Sequence, residues 1–209
     1  MSKSQSLAAA TREGFVALET LAGRGPAANP RSRDAAAVAA FWRNAGPTRW
    51  FAKDAAFDRD FRERFLPLHE AAARGAFNGW LAAPDSALAL LILLDQFPRN
   101  AFRGTPRMYA TDARAREAAH IAIDAGHDRM VESAMQPFFY LPFGHSENLA
   151  DQERSVALVA RRGQPIVSHA ERHRGIVRRF GRFPHRNPIL GRAMTPDEQR
   201  FLDEGGYAG

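Results

Sequence analysis

Three groups of polar residues occupy places where a helical chain ordinarily puts apolar ones. Asp95, Gln96, Arg99 and Asn100 follow directly on the longest apolar run, Leu88–Leu94. His145, Glu147, Asp151 and Gln152 follow the aromatic stretch PFFYLPF, and Arg182, His185, Arg186 and Asn187 lie in the run RFPHRN. A histidine moves protons near neutral pH, a carboxylate serves as acid or base, and a guanidinium forks onto a carboxylate or phosphate. Brought together, these groups would make a pocket that binds or turns over a small phosphorylated or carboxylated molecule. The catalytic candidates are His145, Glu147, Asp151 and His185. The ligand-binding candidates are Asp95, Gln96, Arg99, Asn100, Gln152, His173, Arg182, Arg186 and Asn187.

A structural role competes with that reading. Glu147 and Asp151 lie four apart and share a helix face, whereas Gln152 falls on the apolar stripe. A buried amide without partners costs about 1–3 kcal/mol. The arginines of FPRN and FPHRN could pair with Asp95, Glu147 and Asp151, locking loop ends onto the core as a salt-bridge lattice. Either way Asp95, Arg99, His145, Glu147, Asp151, Arg182 and His185 are expected to converge, because a lone charge beside strongly apolar sequence is costly.

Metal chemistry has little to work with. His145-x-Glu147 with Asp151, or His169 and His173 four apart, could supply ligands, but HAERH places its acid wrongly for the zinc motif HExxH. A histidine pair on an apolar helical stripe reads as core. No metal and no cofactor are expected. There is no cysteine, no GxGxxG, no P-loop and no GxSxG elbow, so thiol, dinucleotide and serine-elbow chemistries have no foothold.

The elements that must position these groups are helices. Val, Ile and Thr are sparse, and apolar residues recur at spacings of three and four. The 209 residues are 45% hydrophobic and 25% charged, enough for one sizeable core. The class is all-α, with about nine or ten antiparallel helices. Residues 1–33 read as an extension, a weak helix over 5–22 followed by the Gly/Pro/Arg-rich linker GRGPAANPRSR. Residues 34–209 read as a single domain.

Within it, Val38, Phe41 and Trp42 share a helical face that Gly46 and Pro47 end. Phe57, Phe61, Phe65 and Leu68 form the next stripe, from about Asp54, with Pro67 expected to kink or end it. Pro98 should stop the central helix. Thr105 and Pro106 signal a helix to Ala125, Asp128 another to Met135, and PFFYLPF a loop or short turn. Ser146 caps a helix to about Arg162, Pro165 opens one carrying His173, and Thr195 with Pro196 caps the last.

The formal net charge is +6, but only Lys3 and Lys53 are lysines, and no basic block or recognition motif accompanies the dispersed arginines. Nucleic acid is therefore a disfavoured partner. The longest apolar run is too short to span a bilayer and the first residues lack a secretory pattern, so a soluble cytoplasmic protein without membrane association is expected.

The segments LLILLDQFPRNAFRGTPRMYATD, FYLPFGHSENLADQERSV and HRGIVRRFGRFPHRNPILGR resemble the signature blocks of a bacterial family known as domain of unknown function 924. FW at 41–42, RWF around Trp50, FD at 57–58 and TPDEQRFLDEGG match as well, so the resemblance runs from about residue 36 to the end. It implies an all-α, tetratricopeptide-like superhelix of helix pairs, and it transfers no activity. The family blocks contain all three polar groups, and His173 fits them where His169 does not. No 34-residue period is visible. A scaffold that holds a protein or peptide partner between helix pairs is the alternative to the small-molecule pocket.

Overall fold

The computed structural model describes residues 30–160 and 166–209, and the expectations for residues 5–22, for the linker up to residue 29 and for Pro165 lie outside them. Residues 30–33, expected as the end of the linker, instead open a helix, with Pro30 at its start where a missing amide costs nothing. Every regular element among the described residues is helical, and Asp34–Gly209 forms one compact unit. Helix α1 (Pro30–Ala45) buries Val38, Ala39 and Trp42. Gly46, at φ 70°, turns the chain into the single turn α2 (Pro47–Trp50), a conformation that suits a residue without Cβ. Trp50 then donates from Nε1 to the Trp42 carbonyl at 2.7 Å.

Asp54 caps α3 (Ala55–Ala73) by accepting from the Ala56 and Phe57 amides. The stripe Phe57, Phe61 and Phe65 is buried, and Phe41 stacks on Phe57 and Phe61 at 5.3 and 5.0 Å. Pro67 does not end α3, which runs on to Ala73. An internal proline costs about 3 kcal/mol, and three buried phenylalanines at about 1.5–3 kcal/mol each outweigh it.

The central helix also passes its proline. It comprises α4 (Pro84–Leu91), a π turn (Ile92–Gln96) and α5 (Phe97–Ala101). Leu88, Leu91, Ile92 and Leu93 are fully buried. In the π turn the Phe97 amide reaches back to the Ile92 carbonyl, and Pro98 has no amide to offer Leu94. The released carbonyls find side chains instead. His69 donates from Nδ1 to the Leu93 carbonyl at 2.9 Å, Thr111 from Oγ1 to that of Leu94 at 2.6 Å, and Arg99 from Nη1 to that of Asp95 at 2.9 Å. Pro98 therefore marks the π turn, not the end of the helix.

The helix expected from Thr105 is broken into a turn over Pro106–Tyr109 and α6 (Asp112–Asp124). Thr105 spends its hydroxyl on the Phe102 carbonyl, and Thr111 on Leu94. Asp128 begins no helix to Met135; a short turn over His127–Arg129 stands there. The supposed loop PFFYLPF is α7 (Pro137–Gly144), with Pro137 in its first turn and Phe138, Phe139, Tyr140 and Phe143 buried. Asn148, not Ser146, caps α8 (Leu149–Val159), which packs between α7 and α9 (Ile166–Phe180). A reciprocal Thr195–Glu198 capping box starts α10 (Pro196–Asp203) as anticipated.

Candidate functional site

The π turn delivers Asp95 to the centre of the polar groups. Its side chain is 1% exposed, and His145, placed just past the end of α7, meets its Oδ1 with Nδ1 at 2.8 Å. Gln96 Nε2 donates to Oδ2 at 2.7 Å, and Arg99 Nη1 lies 3.1 Å from Oδ1. Burial by itself would raise the Asp95 pKa, but Arg99 and His145 beside the carboxylate overcome it and hold Asp95 ionised. Burial, reinforced by the Arg99 charge, lowers the His145 pKa. A neutral imidazole facing a carboxylate must donate, so the proton sits on Nδ1 and the lone pair on Nε2. Among the described residues Nε2 has no hydrogen-bond partner.

Arg99 continues the network by forking onto Asp112, at 2.8 and 3.0 Å. Arg186 follows, its Nη1 3.8 Å from Asp112 and its Nη2 donating to the His145 carbonyl at 2.9 Å. Its guanidinium is clasped by the Tyr109 and Phe183 rings, at 4.5 and 4.6 Å from their centroids. Burial lowers the Arg186 pKa and raises that of Tyr109.

These groups back a cavity of about 490 Å³. Gln96, Arg99, Asn100, His145, His185 and Arg186 line it together with Lys53 and Arg103, and Trp50, Phe51, Met108, Tyr109 and Tyr207 form its apolar wall. Its lining includes no Asp or Glu side chain. The carboxylates stand behind it: Asp58 receives Arg103 at 2.5 Å and Asn100 at 2.8 Å, while Asp95 and Asp112 receive Arg99. His185 packs edge-on to Tyr207, and burial drives its pKa down to about 4.

The other candidates are placed elsewhere. Glu147 is forked by Arg192 at 2.7 and 2.9 Å and accepts the Phe183 amide. Asp151 accepts the Ser146 hydroxyl at 2.6 Å and faces Arg116 Nε at 3.2 Å. Arg182 forks onto Glu198 at 2.6 and 2.9 Å, and Asn187, fully buried, reaches the Met194 sulfur. Gln152, also fully buried, caps the end of α7 by donating to the Gly144 and Ser146 carbonyls. His173 meets the Gly144 carbonyl at 3.1 Å, packs on Tyr207 and Phe183, and is driven by burial to a pKa of about 3. These six latch the structure outside the cavity. The expected convergence therefore holds for Asp95, Arg99, His145 and His185 but not for Glu147, Asp151 or Arg182, which have closer partners.

Asp58, Arg103, Tyr109 and Asp112 were not among the candidates. The Thr-Asp pair at 111–112 was the available signal for Asp112, since a carboxylate starting a helix behind a threonine reads first as a cap. Among the described residues no cluster of three or more metal-ligating side chains occurs, and no helix is long and apolar enough to cross a membrane.

Residues 38–206 match the model of a family described as bacterial protein of unknown function, DUF924. The chain is also similar to a solved protein of unknown function, ATU0120 from Agrobacterium tumefaciens. They share 54% identity at a TM-score of 0.82, over 83% of this chain and 99% of the other. No curated protein matches it.

Proposed function

The chain belongs to the DUF924 family, and we propose that its cavity binds a small anionic molecule. One observation carries the reading: Lys53, Arg99, Arg103 and Arg186 line the wall, and no Asp or Glu side chain does. The three aspartates behind that wall orient their arginine partners, so incoming negative charge meets prepositioned guanidinium groups. Asn100 and Gln96 add amide groups, and the aromatic wall suits an apolar portion of the same ligand. A cytoplasmic setting forms part of the proposal.

A thermal-shift panel of phosphorylated and carboxylated metabolites, run with and without chelator, tests it. At least one anion should raise the melting temperature of the wild type. Lys53→Glu should abolish that shift with little change in the unliganded protein, because among the described residues Lys53 touches only the Gly209 carbonyl, at 3.4 Å. A flat panel, or shifts that survive Lys53→Glu, Arg103→Glu and Arg186→Gln alike, would overturn the assignment. Stoichiometric capture of a protein partner alongside a flat panel would favour a helical scaffold.

A further inference from the structure

We infer that the cavity is catalytic, with the Nε2 lone pair of His145 acting as a general base on the bound anion and Asp95 as its positioning residue. The inference rests on the anion-binding reading and adds a reaction to it. Three observations meet at His145. Its Nδ1 is committed to Asp95 at 2.8 Å, so the ring can neither flip nor exchange tautomer without breaking a buried bond. The ring lines the cavity, and its side chain keeps 16% exposure there. And the helix that supplies Asp95 departs from α geometry at that residue, a departure common at functional sites.

A purely structural histidine does not need this arrangement. His173 and His69 illustrate the contrast, because each spends Nδ1 on a backbone carbonyl and neither lines the cavity. His145 is oriented instead by a carboxylate that is itself oriented by Gln96 and Arg99. That chain of support is how an imidazole is held ready for proton transfer.

The substrate class is a small anion with an acidic C–H or O–H bond beside its charged group. That bond breaks, the proton passes to Nε2, and the electron pair stays on the substrate atom next to the guanidinium wall. Asp95 then neutralises the imidazolium, and return of the proton to another substrate position regenerates the base. The charges facing His145 are Asp95, Arg99, Asp112 and Arg186, with the His173 and His185 rings beside it. Burial and Arg99 hold the ring neutral, so the base form persists at neutral pH and below it.

Elimination of 5-nitrobenzisoxazole reads this base without knowledge of the natural substrate: the base takes the ring C–H proton, the N–O bond breaks, and a coloured cyanophenolate leaves. The wild type should accelerate the reaction over His145→Gln by about a hundredfold. Its rate should rise with pH through the depressed His145 pKa and level off above it. Asp95→Asn should displace that midpoint as well as reduce the rate, which loss of packing alone would not do. Nitrogen NMR of the wild type supplies a reading independent of any variant, and should find Nε2 unprotonated at neutral pH. An elimination rate equal to that of His145→Gln, or a proton on Nε2, overturns the inference. If inorganic phosphate or a carboxylate stabilises the protein while elimination ignores His145, anion binding stands and the base falls. If elimination depends on His145 and no anion binds, the base stands and the anion reading falls.

Discussion

Asp112 grips Arg99 with both carboxylate oxygens while the same guanidinium caps Asp95, so one arginine bridges two buried aspartates from different elements. Arg99→Ala would leave both carboxylates buried, Asp112 with only Arg186 at 3.8 Å as a cation and Asp95 with only the His145 and Gln96 hydrogen bonds. The expected loss is about 3–5 kcal/mol in equilibrium denaturation. Arg99→Lys should recover part of it, since a point charge cannot replace the fork. Arg99 thus serves the fold and the cavity wall together.

The hydroxyl of Thr111 is the cap on the Leu94 carbonyl that Pro98 releases. Thr111→Val preserves shape and strands that buried carbonyl. We expect a loss of about 1–3 kcal/mol, read from the denaturation midpoint at unchanged slope.

Acid should unfold the protein through its buried histidines. His173 and His185 are held neutral to pKa values of about 3 and about 4, against 6.5 when unfolded. Below pH 6.5 the unfolded chain therefore takes up protons that the folded one refuses, and stability falls as pH drops from 6.5 towards 4. Above 6.5 the contribution is complete. His185→Phe keeps the ring contacts with Phe183 and Tyr207 and removes a buried Nδ1 that has no partner. Urea midpoints across this range should fall less steeply for that variant than for the wild type.

Gly206 has room for nothing larger. A Cβ there would lie 2.4 Å from the Phe201 carbonyl oxygen and 2.6 Å from the Phe201 ring. Gly206→Ala should pull Tyr207 away from His185, visible as loss of the ring-current shift on His185 resonances, and should widen the cavity that Tyr207 lines.

The apolar stripes were legible because burial imposes its period on sequence: Val38 and Trp42, Phe57, Phe61 and Phe65, and the run to Leu94 all lie in the core. The helix start at Asp54 and the cap at Thr195, each with one local solution, were legible too. Prolines misled. Pro67, Pro98 and Pro142 each sit within helical paths whose burial outweighs the missing amide, and no local rule reveals how much surface a distant element will cover. In the site, the polar residues next to the central helix were identifiable because charge beside apolar sequence demands a partner. Which partner was not. Glu147 went to Arg192 and Arg182 to Glu198, while Arg99 took Asp112 in addition to the expected Asp95, because pairing follows tertiary proximity.

The π turn has a further consequence, in rotational phase. Relative to an α-helix it holds one surplus residue, and each residue of an α-helix advances the path by about 100°. Were every residue of Pro84–Ala101 kept but wound as ordinary α-helix, Leu88 and Leu91 would keep their bearings while Arg99 and Asn100 would swing by roughly a quarter-turn, away from Asp112 and Asp58. The wider turn absorbs that surplus residue, so excising one residue from Ile92–Gln96 should leave Arg99 and Asn100 facing their partners and change only which side chains occupy the turn itself. The register between core and chemistry is thus set by the width of one turn.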